Sequence, residues 1–359
     1  MKVVLACNFP QDETLGSSRV PLRLSRELGA LGVDVSLVFA HDLRHLGRGR
    51  SEQVTAPWCM AHALIARARG ADVVDIAGGN AWVYERFARR LRPQQALVSR
   101  SNGLWDKALA AEMSIKTGPI QAVLSGAYQK HVMCRWERAS IVSSDIALFG
   151  SRDDGDDVVR REWKTPDGVA VVAPGVDDYS HAPVPLEARQ NVAFVGTFFH
   201  RKGSDIVAAA MSHVMKNRPA LGLTLFAPGG PSASVLEGFD PDVRARITIR
   251  EPLPAETLAR ELGRFAVLVF PTRYEGFGLV VLEAMRAGLA VVTTSTGAGT
   301  DVVRDGQNGL IVPFADVAAT AAAVMRLIDD TPFRMTLAQA AVAEAVSYTH
   351  LTLPTIYSV

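Results

Sequence analysis

The amino-acid sequence predicts an α/β protein of two doubly wound domains facing each other across a cleft, and three observations carry that prediction. Apolar runs without polar alternation recur along the chain, as in strands buried on both faces of a parallel sheet. Ala- and Arg-rich stretches of helical spacing separate them. The same order starts twice, at the N-terminus and again at NVAFVGTFFHRKGSDIVAAAM, so two sheets are expected.

The 359 residues exceed the size of one hydrophobic core, and two domains of roughly 170 residues follow. The first element is a strand at Val3 to Ala6. A polar loop, NFPQDETLGSSR, leads to the helix VPLRLSRELGALG, closed by Gly32, and to the strand VDVSLVF. ADVVDIAGG, ALVSRSNG and SDIALFGS continue the strands of the first domain. The stretch VVAPGVDDYSHAPVPLEARQ, with Pro174, Pro183 and Pro185, reads as the linker. Beyond it, NVAFVG, LTLFAPGG, RITIREP, FAVLVFPTRYEG and LAVVTTST supply the second set of strands. The expected domains are 1–178 and 179–345, with 346–359 set apart.

Composition narrows the function classes. With 48% hydrophobic and 21% charged residues the chain is globular in character, and a formal charge of +1 offers no reason to expect nucleic acid as a partner. Cys7, Cys59 and Cys134 are odd in number and widely spaced, which provides neither a disulfide framework nor a CxxC metal site and fits a reducing cytosol. No run approaches the roughly 18 apolar residues of a spanning helix. A soluble cytoplasmic protein is expected, attached at most to the inner membrane face. The basic stretch ERFARRLRP could meet anionic lipid there, a solvated surface being the plainer reading.

Doubly wound sheets bind ligands at the carboxyl ends of their strands. The strongest signal there is FPTRYEGFGLVVLEAMRAGLAVV. A strand ends at Pro271, Gly276 and Gly278 flank a helix start, and Gly288 closes the helix. Glu275 therefore sits at a helix N-terminus, where backbone N–H groups and the helix dipole suit an anionic or hydroxyl-rich ligand. Glu283 lies among Val280, Val281, Leu282, Ala284 and Met285, so its carboxylate needs hydroxyl or N–H partners, and two vicinal ribose hydroxyls would serve. Taken singly, each glutamate could equally be a solvated turn or surface residue. The glycines, the apolar helix and the preceding strand together favour a ligand site.

A second signal is FVGTFFHRKGSDIV. A strand runs to Gly196, and a short loop carries His200, Arg201 and Lys202 before Gly203 and a helix. Two adjacent cations at such a turn can neutralise a diphosphate, Arg through its planar fork and Lys as a point charge. A solvated basic turn is the alternative, and His200 reads as incidental. In the first half, Gly16 and Ser17 stand ahead of the first helix, where small residues let a ligand approach; a helix start capped by Ser17 or Ser18 reads equally well. Gly78, Gly79 and Asn80 follow one strand, and Arg100 and Asn102 flank the next turn. No GxGxxG follows the first strand and no GxxxxGK[ST] occurs, which disfavours dinucleotide dehydrogenases and P-loop enzymes.

At these residues the chain resembles the retaining, nucleotide-sugar-dependent glycosyltransferases of the GT-B fold, family 4. EGFGLVVLEAMRAG is similar to that family's E-x7-E element, VGTFFHRKG to its phosphate loop, VVAPGVD to its interdomain segment, and DVVRDGQNGLIVPFAD to the sequence after the E-x7-E helix. The resemblance covers nearly all of residues 1–345 and implies two Rossmann-like domains. It further implies that Glu283 holds the donor ribose, and that Glu275, with the backbone of Gly276, Phe277, Gly278 and Leu279, faces the donor sugar and diphosphate. Lys202 and Arg201 would neutralise the leaving nucleotide diphosphate beside Gly196 and Thr197. Retention by front-face attack is implied, the departing phosphate taking the acceptor's proton, with no metal and no further cofactor required.

Two positions depart from the pattern. Thr197 stands where many members have Arg, and Asn102 where many have His; an amide can hold a sugar hydroxyl but cannot act as acid or base near neutral pH. The expected function is transfer of a hexose from a GDP- or UDP-sugar to a glycan, lipid or small acceptor. The alternatives are a nucleotide-sugar-binding protein with little turnover and, further off, a sugar-nucleotide epimerase. Gly16, Ser17, Gly79 and Asn102 are the acceptor-side candidates.

The C-terminal stretch differs from all this. VSYTHLTLPT, residues 346–355, is similar to a reading frame of a transposon mosaic end joined to a sequencing adapter. Residues 346–359 are therefore expected to be read-through, replacing the remainder of a final helix that would return to the first domain.

Overall fold

The computed structural model describes residues 1–43, 50–112, 129–177 and 184–348. The chain divides into two compact units, one from Met1 to Ala173 and one beginning at Pro174.

The first unit is built on a six-stranded parallel sheet of β1 (Lys2–Ala6), β2 (Asp34–Val38), β3 (Val73–Ala77), β4 (Ala96–Arg100), β5 (Ile146–Phe149) and β6 (Val169–Val171), in the spatial order β2-β1-β3-β4-β5-β6. Both faces are covered, which explains the unbroken apolar runs. Along β1, Val3 and Leu5 pack with Leu24 and Leu28 on one side, while Val4 and Ala6 pack with Met60 and Leu64 on the other. Among the described residues the helices that accompany these strands are α1 (Gly16–Ala30), α2 (Arg50–Arg67), α3 (Ala81–Phe87), α4 (Trp105–Glu112), α5 (Cys134–Ser143) and α6 (Arg152–Arg160).

Helix α1 starts earlier than its sequence suggests, inside the polar GSSR stretch. Its N-cap is Leu15, with no side-chain cap, so neither Ser17 nor Ser18 fills that role. The Ser18 hydroxyl is engaged elsewhere: it donates to the Pro10 carbonyl (2.7 Å) and ties the preceding loop to the helix.

The second unit has its own parallel sheet of β7 (Val192–Val195), β8 (Leu223–Phe226), β9 (Ile247–Arg250), β10 (Val267–Phe270), β11 (Ala290–Thr293) and β12 (Leu310–Ile311), in the order β12-β11-β10-β7-β8-β9. The direction of winding reverses between β7 and β10, the switch point at which such sheets receive ligands. Val267, Leu268, Val269 and Phe270 of β10 are fully buried. Each buried side chain of this kind contributes about 1.5–3 kcal/mol. The helices are α7 (Ser204–Asn217), α8 (Ser232–Glu237), α9 (Ala255–Leu262), α10 (Leu279–Arg286), α11 (Ala298–Asp301), α12 (Val317–Asp329) and α13 (Thr331–Val346).

The last two helices are set by side-chain caps. Asp316 accepts the N–H of Ala319 (2.8 Å), and Asp330 accepts that of Phe333 (3.0 Å), each satisfying a first-turn donor. Helix α13 packs on α10 and β11 and buries Leu337, Ala338, Ala341 and Ala345. Arg334 of this helix donates to the carbonyl of Arg189 (3.1 Å). The guanidinium of Arg189 in turn donates to the carbonyls of Ala287 (2.8 Å) and Gly288 (3.1 Å), which closes the C-terminal end of α10.

Pro174 and Pro185 of the linker stretch are described, whereas Pro183 lies outside the described residues. Of the stretch 346–359, Val346 ends α13, and the carbonyl of Tyr348 accepts the N–H of Val176 (2.9 Å). Residues 349–359 lie outside the described residues. Among the described residues no helix is long and apolar enough to cross a membrane.

Candidate active site

Strands β7 and β10 are direct neighbours, with Val192 opposite Val267. The loops that follow them leave the same sheet edge side by side. After β7 and Gly196, His200–Lys202 form a single 3-10 turn that ends at Gly203. Gly203 has φ +76°, and a Cβ there would lie 2.2 Å from the carbonyl oxygen of Pro271. Only glycine permits both that backbone conformation and that approach, so the turn rests directly on the start of the β10–α10 loop.

Several hydrogen bonds lock the two loops together. The N–H of Arg273 (2.8 Å) and the hydroxyl of Thr272 (3.0 Å) both donate to the carbonyl of Arg201. The Arg273 guanidinium donates to the carbonyl of His200 (2.7 Å) and grips both oxygens of Asp205 (2.7 and 2.8 Å). Burial raises the Asp205 carboxyl, but the hydrogen bonds and charge of Arg273 outweigh it and hold the group below the usual carboxylate range. His200 is buried, with Nδ1 3.3 Å from Asp205 Oδ1.

This scaffold brings the predicted charged residues together. Lys202 Nζ is 2.8 Å from Glu275 Oε1, and Arg201 Nη1 is 3.5 Å from the same oxygen. Arg201 also donates to the carbonyl of Tyr274 (3.0 Å). Glu275 is only 8% exposed; its carboxylate accepts the Thr272 hydroxyl (3.3 Å), and its own N–H donates to Thr296 Oγ1 (3.2 Å). The Lys202 ammonium lies 5.1 Å from the centre of the Phe270 ring, a cation–π distance. Its aliphatic stem passes Gly196, where a Cβ would be 3.7–3.9 Å from the lysine atoms. Two cations share one carboxylate, so the cluster carries a net positive charge suited to a polyanion.

Gly276 and Phe277 are buried, and the Phe277 carbonyl accepts the N–H of Ala298 (2.6 Å). Gly278 is the N-cap of α10, and Leu279 begins it. Glu283 stands one turn further along the same helix, half-buried, with Oε2 closed off from solvent. Thr197 is exposed beyond Gly196. The site thus has anion-attracting side chains, a carboxylate and a helix N-terminus on two adjoining loops.

The remaining candidates belong to the first unit. They lie on the segments that follow β1, β3 and β4, three strands adjacent in the sheet, and so stand at its carboxyl edge. Gly16 is exposed and Ser17 half-buried at the start of α1. Gly79 follows β3, and Asn102 is exposed on the loop after β4. Arg100, at the end of β4, is turned into the sheet, where its Nε meets both oxygens of Asp75 (3.0 and 3.1 Å).

Sequence reasoning missed Thr272, Arg273, Thr296 and Asp205. Arg273 lies inside the motif that was singled out, but its partner Asp205 is 68 positions away, and nothing local announces the pairing. His200, set aside in the sequence, contributes through its backbone carbonyl. Among the described residues no cluster of three or more His, Cys, Asp or Glu is placed to hold a metal ion.

Known proteins are similar to this chain in sequence and in fold. Residues 189–330 match the family model described as "Glycosyl transferases group 1". The chain is 33% identical over 236 residues to a D-inositol 3-phosphate glycosyltransferase of Streptomyces scabiei, covering 59% of this chain and 53% of that protein. It is 29% identical over 234 residues to the enzyme of the same name from Corynebacterium diphtheriae, covering 59% and 55%. The matched region thus spans about half the length of these curated relatives. Among solved structures, a sucrose-phosphate synthase from Thermosynechococcus elongatus superposes with a TM-score of 0.77 at 19% identity, covering 98% of this chain and 95% of that one. WaaG, a glycosyltransferase involved in lipopolysaccharide biosynthesis, gives 0.73 at 18% identity, covering 98% and 97%. Anabaena Alr3699/HepE in complex with UDP and glucose gives 0.69 at 14%, covering 97% and 95%.

Proposed function

We propose that this GT-B chain, whose residues 189–330 match the group 1 glycosyltransferase model, transfers a hexose from a nucleoside-diphosphate sugar to an acceptor hydroxyl. The observation that carries the reading is the Lys202–Glu275 contact of 2.8 Å, with Arg201 beside it, at the switch point of the second sheet. Net positive charge there matches a diphosphate, whose negative charge grows as the sugar–oxygen bond breaks. Lys202 and Arg201 stabilise that leaving group. Glu275, held by Thr272 and Thr296, orients Lys202 and faces the sugar. Glu283 accepts the ribose hydroxyls one helical turn away.

The reaction retains anomeric configuration in this reading, the departing phosphate accepting the acceptor's proton on the same face of the sugar, with no metal and no further cofactor. The donor is a UDP- or GDP-hexose; the neighbour that holds UDP supports a uridine nucleotide as the first to test. Glycans, lipids and small molecules remain the acceptor classes, and the relatives' name makes inositol 3-phosphate the first probe. The carboxyl edge of the first sheet, with Gly16, Ser17, Gly79 and Asn102, is the acceptor side.

The test is incubation of the purified chain with a panel of UDP- and GDP-hexoses, with and without inositol 3-phosphate, following nucleoside-diphosphate release and product configuration by NMR. Transfer with retention is expected. Tight calorimetric binding without consumption of any donor would overturn the reading in favour of a binding protein. Acceptor-free conversion of the sugar nucleotide would overturn it in favour of an epimerase.

A further inference from the structure

Helix α5 of the first unit carries a buried carboxylate that the proposed reaction does not use. Glu137 is 3% exposed. Its Oε2 accepts the backbone N–H of Trp105 (2.7 Å), the first residue of α4, and its Oε1 accepts the hydroxyl of Ser101 (3.4 Å). One carboxylate therefore holds both ends of the loop Ser101-Asn102-Gly103-Leu104-Trp105. Within that loop the Gly103 N–H donates to Ser101 Oγ (3.2 Å), and Leu104 is completely buried. Asn102, between these anchors, is exposed.

One turn along the same helix, Ser140 does the equivalent for a second loop. Its Oγ accepts the N–H groups of Ala81 (3.1 Å) and Trp82 (3.2 Å), which open α3 directly after Gly78-Gly79-Asn80. Gly79 is pressed onto α5 itself; a Cβ there would lie 2.9 Å from the Glu137 nitrogen and 3.2 Å from the Trp136 carbonyl carbon. Loops after β3 and β4, which are neighbouring strands, are thus held by two side chains at i and i+3 on a third element.

We propose that Glu137 and Ser140 are positioning residues that fix the Asn102 and Gly79–Asn80 loops in register with each other for acceptor recognition. The acceptor part rests on the glycosyltransferase reading; the positioning part does not. A helix N-terminus satisfied by a side chain from elsewhere in the fold moves only with that side chain. Acceptor recognition at this edge then depends on α5, although neither residue need touch the acceptor.

The charge environment makes the arrangement readable. Burial, together with Asp106 of α4 and Asp154 of α6, pushes the Glu137 carboxyl up to about 8 against the pull of the Trp105 N–H. Asp154 is itself paired with Lys107 (3.1 Å). Ionisation of Glu137 strengthens the bond to the Trp105 N–H, and the backbone amide reports it directly.

The experiment is amide-resolved NMR and hydrogen exchange on the full chain, comparing wild type, Glu137→Gln and Glu137→Ala. In wild type the Trp105 amide should titrate with the Glu137 midpoint, and in Glu137→Gln that titration should vanish while protection is kept. Glu137→Ala should speed exchange of the 101–105 amides about tenfold or more, the loss expected for a buried hydrogen-bonded carboxylate, and leave α10 amides unchanged. With inositol 3-phosphate and a UDP-hexose, Glu137→Ala should raise acceptor KM about tenfold, and Glu137→Gln should restore it. Loosening spread evenly over the first unit, an untitrating Trp105 amide, or an unchanged KM beside a loosened loop would each overturn the inference. If inositol 3-phosphate is not an acceptor, that acceptor assignment fails while the amide measurements still decide the positioning.

Discussion

The ammonium of Lys202 and the carboxylate of Glu275, 73 positions apart in the chain, meet at 2.8 Å where two neighbouring strands of the second sheet end. Lys202→Ala should lower kcat about 10²–10³-fold, as removal of a preorganised charge from a leaving group does, with a smaller change in donor KM. Glu275→Ala should cost a similar factor. The double variant should be far less impaired than the product of the two, because each residue works through the other. Nucleoside-diphosphate release measures all three, and strict additivity would refute the coupling.

Arg273 is expected to matter without touching the donor. Loss of its fork to Asp205 and of its bond to His200 frees the turn that carries Lys202, so Arg273→Ala should lower kcat about tenfold or more. Arg273→Lys should recover little, since an ammonium cannot bridge both oxygens of Asp205.

The same pair predicts a stability change on the acid side. The folded Asp205 carboxyl lies below its unfolded value, so its contribution is present above about pH 4 and is lost as pH falls through the folded value. The difference in thermal stability between wild type and Arg273→Ala should be widest near neutrality and shrink in acid. A constant difference across that range would remove Arg273 as the cause.

Glu137 has the opposite sign. Its folded carboxyl is raised to about 8, so the stability it contributes is complete below the unfolded value of about 4.5 and is lost as pH climbs towards 8. Glu137→Gln carries no ionising group, and its stability relative to wild type should rise by about 4 kcal/mol between pH 5 and pH 8.5. Denaturant unfolding at the two values checks this.

Gly203→Ala should destabilise the second unit by about 2 kcal/mol or more, because the new methyl meets the Pro271 carbonyl oxygen at 2.2 Å in a left-handed backbone conformation. Gly306→Ala has a similar φ of +70° and open space at the Cβ, so it should cost less. Comparing the two melting temperatures separates the close approach from the backbone preference.

Much of this was legible in the chain itself. Strands such as Val267–Phe270 announce themselves because burial on both faces leaves no polar alternation to obscure them. Glu275, Lys202 and Arg201 stand out in the sequence because glycines beside a strand end mark a sharp backbone turn, and the structure brings their side chains together. The start of α1 was misjudged: Gly16, Ser17 and Ser18 have low helix propensity, and a hydrogen bond to Pro10 holds them in the helix.

By itself, then, the sequence determined the alternation of apolar strands and helices, the repeated unit, and the local motifs that place charge at strand ends. These follow from periodicity and from glycine and proline chemistry, which act over a few residues. Tertiary structure alone decided which charges share a partner. Arg273 with Asp205, Lys202 with Glu275, and Glu137 with both ends of the Asn102 loop are pairings between elements far apart in the chain. Strand order sets them, and strand order is a property of the folded sheet, because neighbours there are chosen by burial of whole faces rather than by adjacency in sequence.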